Sequence, residues 1–332
     1  MEDFSDKFNF KIVHKIADGG MGAVFKALQK GVEGFEKTVA IKTLLEPLTA
    51  DPRFVEMFIA EAKLVSNLVH ENIVQIYQLG KQGGSYYFVL EYVNGVSLHT
   101  LLEFHRKLYV QLPLSLSVYI ASRVARGLAY AHTRTDNYGR PLNIAHCDVC
   151  PSNILITTEG LPKLTDFGIA RAANLASFST MSGKLPFMSP EQASKGAVDH
   201  RSDIYSLGIV LFNMLSGTTT RALDKGPKDV LRQARENYID WSKLPEEVDA
   251  DLRSILQRML AGNPDDRYQR TPDLGRDLEY YIYKDGYGPT IVTLSEYLKQ
   301  QLPGLFQPEA LKKEGARPED DIDSLEKTIR IP

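Results

Sequence analysis

The sequence predicts an α+β chain of two unequal lobes, a small β-rich lobe followed by a larger, mostly helical one. Runs of strand character with one helix among them fill roughly the first 93 residues. After Gly95 the texture changes to apolar residues at helical spacing, and no internal repeat divides the chain into equivalent units. A length of 332 residues suits one two-lobed domain or two ordinary ones, and 43% hydrophobic residues are enough for a sizeable core.

"FKIVHKIA" (10–17) and "AVFKAL" (23–28) flank the glycine cluster "DGGMG", and "KTVAIKTL" (37–44) is a third β-rich run. Over 52–69, Phe54, Phe58, Ala62, Val65 and Leu68 recur at helical spacing. Strand character returns over 73–79 and 85–93. Helices are then expected over 117–132, 202–217, 249–261 and 272–283, with the short apolar runs "NILIT" and "PKLTDFGIA" between the first two. An amphipathic helix is expected over 293–306, packed on the helical lobe. The charged, aromatic-free stretch "KKEGARPEDDIDSLEKTIRIP" reads as a disordered tail. The expected boundaries are an extension at 1–9, one domain at 10–283 with its lobes at 10–93 and 94–283, and a C-terminal extension at 284–332.

A net charge of −3 and a pI near 6.2 lack the basic excess of a nucleic-acid binder. Two cysteines fit a reducing cytosol. The acids in "MEDFSDKFNF" do not suit a secretory signal, and the longest apolar run, "SLGIVLFNMLSG" (206–217), is too short to span a bilayer. The expectation is a soluble, cytoplasmic protein with no membrane span and no nucleic-acid partner.

Chemistry concentrates in a few short motifs. "IADGGMGAVFKA" (16–27) lies between two strands, not between a strand and a helix, and lacks a Gly-Lys-Ser/Thr ending. That rejects a dinucleotide-binding fold and a Walker-type loop. "VAIK" (39–42) puts Lys42 in an apolar strand, where a buried role is favoured over a solvated surface pair, and the helix over 52–69 offers Glu61 as its partner. "HCDVCPSN" (146–153), "TDFG" (165–168) and "SPE" (189–191) follow in order. In this order and spacing the motifs resemble those of the eukaryotic-like serine/threonine protein kinases, over roughly residues 10 to 283, and "GGMG" and "SPEQ" look like the bacterial branch.

The resemblance implies a two-lobed protein kinase fold that transfers the γ-phosphoryl group of ATP, with Mg²⁺, to serine or threonine hydroxyls of protein substrates, itself included. Gly19 and Gly22 match the second and third glycines of the family's glycine-rich loop, Val24 follows as it should, and Ala17 replaces the first glycine. Lys42 would hold the α- and β-phosphates, and Glu61 would orient it. Asp166 and Asn153 would bind Mg²⁺, and Asp148 would accept the substrate's hydroxyl proton. Adenine would lie between Val24 and Ala40 above and Leu155 below, its edge bonded to the hinge backbone at Glu91 and Val93, with Leu90 as gatekeeper. Asp203 would anchor the catalytic loop, and Glu191 and Arg267 would pair to hold the larger lobe together. The protein-kinase motif set disfavours a small-molecule kinase of the same broad fold.

The departures fall in the catalytic loop. Cys147 replaces the arginine that receives an activation-loop phosphate, so modification of Ser177, Ser179, Thr180 or Ser182 is expected to have less leverage. Cys150 replaces the lysine whose ammonium meets the γ-phosphate. Losing such a charge-assisted hydrogen bond, about 1.5–3 kcal/mol, would slow transfer about 10- to 100-fold. Where the family reads Gly-Thr on the facing segment, this chain has Gly183-Lys184. One cation has left the loop and another stands opposite it, so Lys184 is expected to supply the ammonium near Asp148; the alternative is a lysine turned to solvent. Cys147-x-x-Cys150 offers too few ligands for a structural zinc and reads as two independent substitutions. Ala17, Cys147 and Cys150 support a pseudokinase-like nucleotide-binding scaffold, whereas the presence of Lys42, Glu61, Asp148, Asn153 and Asp166 favours an active enzyme. "RTDNYGRPLNI" (134–144) extends the turn before the catalytic loop and reads as a surface hairpin. In the tail, Thr328 with Ile331 three residues on resembles a ligand of forkhead-associated domains, against the plainer reading of a solvated tail.

Overall fold

The computed structural model describes residues 9–19, 22–44, 65–167, 184–221 and 226–307, together with 55, 56, 59, 62 and 63. Glu61, Gly168, Ser177, Ser179, Thr180, Ser182, Gly183, Thr328 and the charged tail lie outside the described residues, as do Phe54 and Phe58.

The smaller lobe is a five-stranded antiparallel sheet of β1 (Asn9–Gly19), β2 (Gly22–Lys30), β3 (Glu36–Thr43), β4 (Ile76–Gln82) and β5 (Ser85–Glu91), in the order β1-β2-β3-β5-β4. Side chains alternate across β3, which sits at the centre of the sheet. Val39 and Ile41 join Ala27 and Val89 on one face. Ala40 joins Phe88, Leu90 and Ala62 on the other, and Lys42 shares the parity of Ala40. The described residues 55, 56, 59, 62, 63 and 65 are helical, as the periodicity expects. The strand expected from 73 joins the sheet only at Ile76. Residues 72–74 are drawn instead to the larger lobe, where Leu164 N–H donates to Asn72 O (2.8 Å) and Val74 N–H to Leu164 O (2.9 Å).

The larger lobe carries a small sheet of β6 (Gly95–Ser97), β7 (Ile154–Thr157) and β8 (Pro162–Leu164). Its helices are α1 (Leu98–Leu108), α2 (Leu114–His132), α3 (Pro190–Ala193), α4 (His200–Ser216), α5 (Pro227–Arg235), α6 (Ala250–Met259), α7 (Thr271–Tyr283) and α8 (Ile291–Gln301). α1, α3 and α5 are additions to what the sequence predicts. α4 is apolar on nearly every face and buried from Ser202 to Leu215, so the other helices pack around it. Among the described residues no helix is long and apolar enough to cross a membrane. Residues 134–144 form a short hairpin closed by a Thr135–Pro141 bridge, with Tyr138 exposed at its tip.

The helix expected to reach 306 stops at Gln301, because Leu302 leaves the helical region (φ −130, ψ 59) and Pro303 cannot continue the ladder; Pro303–Phe306 is a separate 3₁₀ turn. α8 is seated in the lobe's core through Leu294 and Leu298. Ser295 Oγ donates to Thr158 O at 2.6 Å, beside the β7–β8 turn. Gly160 in that turn has φ +85, and a Cβ there would lie 1.9 Å from Ile291 O, so only glycine lets the turn meet α8.

Candidate active site

The catalytic-loop segment is held from below by one carboxylate. Asp203, in the first turn of α4 and fully buried, accepts the N–H groups of His146 and Cys147, both at 2.7 Å, and meets His132 Nε2 at 2.9 Å. Cys147 adopts a left-handed backbone (φ 63), and its carbonyl accepts from Gln192 Nε2 at 2.9 Å. His146 Nδ1 accepts the N–H of Asp148 at 3.2 Å, so its protonated nitrogen is Nε2, which donates to Thr165 O at 2.8 Å. The loop's path is thus set by main-chain bonds that do not depend on the identity of the side chain at 147.

Asp148 is engaged on one oxygen. Oδ2 accepts from Asn153 Nδ2 at 2.8 Å and from Lys184 Nζ. Asn153 Nδ2 also donates to Asp148 O at 2.9 Å. Among the described residues both side-chain contacts fall on Oδ2 and none on Oδ1. Lys184 therefore meets Asp148, with 36% of its side chain still open to solvent. Burial alone would lower the Lys184 pKa, but Asp148 first, then Asp166, hold it above the ordinary 10.5, so its ammonium stays charged. Cys150, 3% exposed, has its thiol pushed far up by burial and by the charge of Asp148, so it is a packed apolar group and not a reactive thiolate.

Lys42, buried in β3, pairs with Asp166 Oδ1 at 2.6 Å. Asp166 sits at φ 65, a conformation uncommon outside glycine and frequent at functional positions. Burial would raise its carboxyl pKa, yet the charge and hydrogen bond of Lys42, then Lys184 and His146, hold it below the usual 3.8. Thr165 N–H donates to Asn153 O at 2.9 Å, which ties the strand leading to Asp166 to the catalytic loop. Asn153 spends its amide nitrogen on Asp148, and among the described residues its Oδ1 takes no hydrogen bond. With the Asp166 carboxylate this makes a hard-oxygen donor set that suits Mg²⁺.

Val24, Ala40, Leu90, Val93 and Leu155 come together in one apolar cluster with Phe88. Glu91 N–H is taken by Gln75 O at 2.9 Å, and Glu91 pairs with Val39 at the end of the β3–β5 ladder. Its carboxylate meets Lys163 Nζ at 2.9 Å. Ala17 is exposed and pairs across the hairpin with Val24, while Gly19 pairs with Gly22. A Cβ on Gly22 would lie 1.6 Å from Thr43 O, so close passage over the end of β3 demands glycine there as well as any approach of phosphate. Behind Leu90 a cavity continues between Lys42, Val65, Asp166 and Phe167.

Further from the chemistry, Arg267 holds Glu191 in a bidentate pair (2.7 and 2.8 Å), and Ser202 Oγ adds a third bond to the same carboxylate. Three contributors escaped the sequence reading. Gln192 was findable, since Ser189-Pro-Glu-Gln192 is a capping-box pattern, and both halves of the box form. His146 opens the motif "HCDVCPSN", but nothing there records the bonds of its ring, and Arg221, which donates to Leu185 O and Pro186 O, leaves no pattern in the sequence.

A family model described as "Protein kinase domain" matches residues 10–274. The chain is 39% identical over 302 residues to "Tyrosine-protein kinase MasK" of Myxococcus xanthus, covering 87% of this chain and 45% of that protein. It is 31% identical over 290 residues to "Serine/threonine-protein kinase PrkC" of Bacillus subtilis, covering 86% of this chain and 42% of that one. The chain thus spans less than half the length of these curated relatives. The crystal structure of the Mycobacterium tuberculosis PknI kinase domain superposes with a TM-score of 0.62 at 24% identity, covering 84% of this chain and 99% of that one, a likeness of fold.

Proposed function

Because the chain belongs to the protein kinase family, we propose that it is an active kinase that transfers the γ-phosphoryl group of ATP to serine or threonine hydroxyls of proteins, its own included. The observation that carries the reading is the pairing of Lys184 with Asp148 Oδ2, a cation at the position of chemistry in a loop that has lost its lysine. Asp148 Oδ1 accepts the proton of the acceptor hydroxyl, while Asn153 and Lys184 hold the carboxylate in place. Lys184, charged at neutral pH, stabilises the negative charge on the transferring group. Lys42, with Glu61 as its orienting partner, takes the α- and β-phosphates. The apolar cluster of Val24, Ala40 and Leu155 receives adenine, and Glu91 and Val93 bond its edge. Asp166 and Asn153 hold Mg²⁺, which when bound neutralises phosphate charge.

The scaffold alternative has only the substitutions at Ala17, Cys147 and Cys150 in its favour. A second reading concerns the acceptor: a relative at 39% identity is named a tyrosine-protein kinase, while others carry the serine/threonine name, which the "DVCPSN" frame also favours. Two cysteines in 332 residues support a cytoplasmic setting. A phosphorylated Thr328 would be the ligand of a forkhead-associated partner.

The test is transfer of labelled phosphate from Mg-ATP to the chain and to a basic acceptor protein, followed by acid hydrolysis and separation of the phosphoamino acids, with Asp166→Asn as control. Label on serine or threonine that disappears in the control is the expected result. Label confined to tyrosine replaces the acceptor assignment, and absence of label beside clear ATP binding refutes the reading.

A further inference from the structure

Arg221 is among the largest fully buried side chains of the molecule, 1% exposed, a few residues beyond the end of α4. Its Nη1 donates to Pro186 O at 2.7 Å and to Leu185 O at 3.2 Å, and its Nη2 donates to Tyr205 Oη at 3.0 Å. Tyr205 Oη donates onward to Asn237 Oδ1 at 2.8 Å, so the guanidinium is braced from the core side. Among the described residues no carboxylate pairs with it, and its Nε has no hydrogen-bond partner. Burying a cation on neutral partners costs stability that an apolar side chain of similar volume would not. Packing alone therefore does not account for an arginine here.

What Arg221 grips is the turn that begins at Lys184. Phe187 N–H donates to Lys184 O at 3.0 Å and Met188 N–H to Leu185 O at 3.3 Å, which makes Lys184 the first residue of the turn. No side chain caps it at that end. Leu185, Pro186 and Phe187 are buried. The two carbonyls on Arg221 belong to the residues directly after the lysine.

We propose that Arg221 is a positioning residue for Lys184: by holding the carbonyls of Leu185 and Pro186 it fixes the turn from which the Lys184 ammonium reaches Asp148. The inference rests on the reading of Lys184 as the working cation. It assigns Arg221 no contact with ATP or with the acceptor, so its effect belongs in kcat and should vanish when there is no ammonium left to position.

The test is a double-mutant cycle on kcat in the full chain, using Arg221→Met, Lys184→Ala and their combination, with ATP affinity from equilibrium binding and melting temperatures recorded for each. Arg221→Met is expected to lower kcat about tenfold with ATP affinity changed less than about twofold, and to cost less than about twofold in the Lys184→Ala background. Arg221→Lys, which keeps one cationic donor for the carbonyls, should recover part of the loss. An equal factor in both backgrounds, or an unchanged kcat in Arg221→Met, overturns the proposal while leaving the Lys184 reading intact. An unchanged kcat in Lys184→Ala itself overturns that reading first, and this inference with it. If Arg221→Met does not fold, the cycle run with Arg221→Lys decides: loss confined to chains that keep Lys184 supports the assignment, and equal loss refutes it.

Discussion

Cys150→Lys in a Lys184→Ala chain returns a cation to the catalytic loop after the one on the facing segment has been removed. Position 150 is two residues from Asp148, and the charges of both Asp148 and Lys184 act on the Cys150 thiol, so an ammonium on this side can serve the same space. A shielded charge-assisted hydrogen bond contributes about 1.5–3 kcal/mol. Lys184 has 36% of its side chain open to solvent, so screening places its share in the lower part of that range, about 1.5–2 kcal/mol. Lys184→Ala should then reduce kcat about 10- to 30-fold, and Cys150→Lys should restore most of that loss. The added bulk enters a site 3% exposed, so a stability loss of about 1–3 kcal/mol is expected from overpacking. In a chain that keeps Lys184, the same substitution sets two ammoniums beside one carboxylate and should lower, not raise, kcat. The assay is steady-state transfer from labelled ATP, with chemical denaturation to confirm folding. A folded, ATP-binding Cys150→Lys/Lys184→Ala chain no faster than Lys184→Ala would refute the reasoning.

Two further outcomes follow from packing and charge. Leu294→Ala should cost about 2–5 kcal/mol in urea unfolding, because Leu294 is fully buried where α8 meets the larger lobe; a loss near zero would mean that α8 contributes nothing to that lobe's stability. The Glu191 carboxyl would be raised by burial, but Arg267 and Ser202 hold its pKa below the usual 4.5. Its stabilisation is therefore fully present above pH 4.5 and is lost as pH falls through its lower folded-state value. Melting temperature should accordingly fall more steeply below pH 4.5 in the parent than in Glu191→Gln, and parallel curves would contradict this.

Most of the strand and helix framework was legible because it is written in periodicity: β3 alternates between two buried faces, and α4 is a long apolar run. The motif residues stand out by spacing, and the Lys184–Asp148 contact could be expected, since the loss at Cys150 and the gain at Lys184 are visible in one sequence. Boundaries were less so. Residues 72–74 look like the start of β4, but their partners lie at Leu164, ninety residues away, and no local pattern records a competition between sheets. α1, with its basic last turn, and α5, short and rich in charge, offered too narrow an apolar stripe to stand out. Arg221 sits in the polar run "GTTTRALDKG", where every local cue says surface; its burial comes from α4 and the turn after Lys184 closing over it. Lys42 could be assigned a buried strand from sequence, but not its present partner Asp166, because that contact spans the two lobes.

The carboxylate of Asp203 takes up the amide protons of His146 and Cys147 from within the first turn of the most enclosed helix. Those two amides cannot meet solvent base unless the loop parts from α4, and α4 is packed on all sides. The amides of His146 and Cys147 should therefore exchange with the slow class of the core, irregular as the backbone around them is.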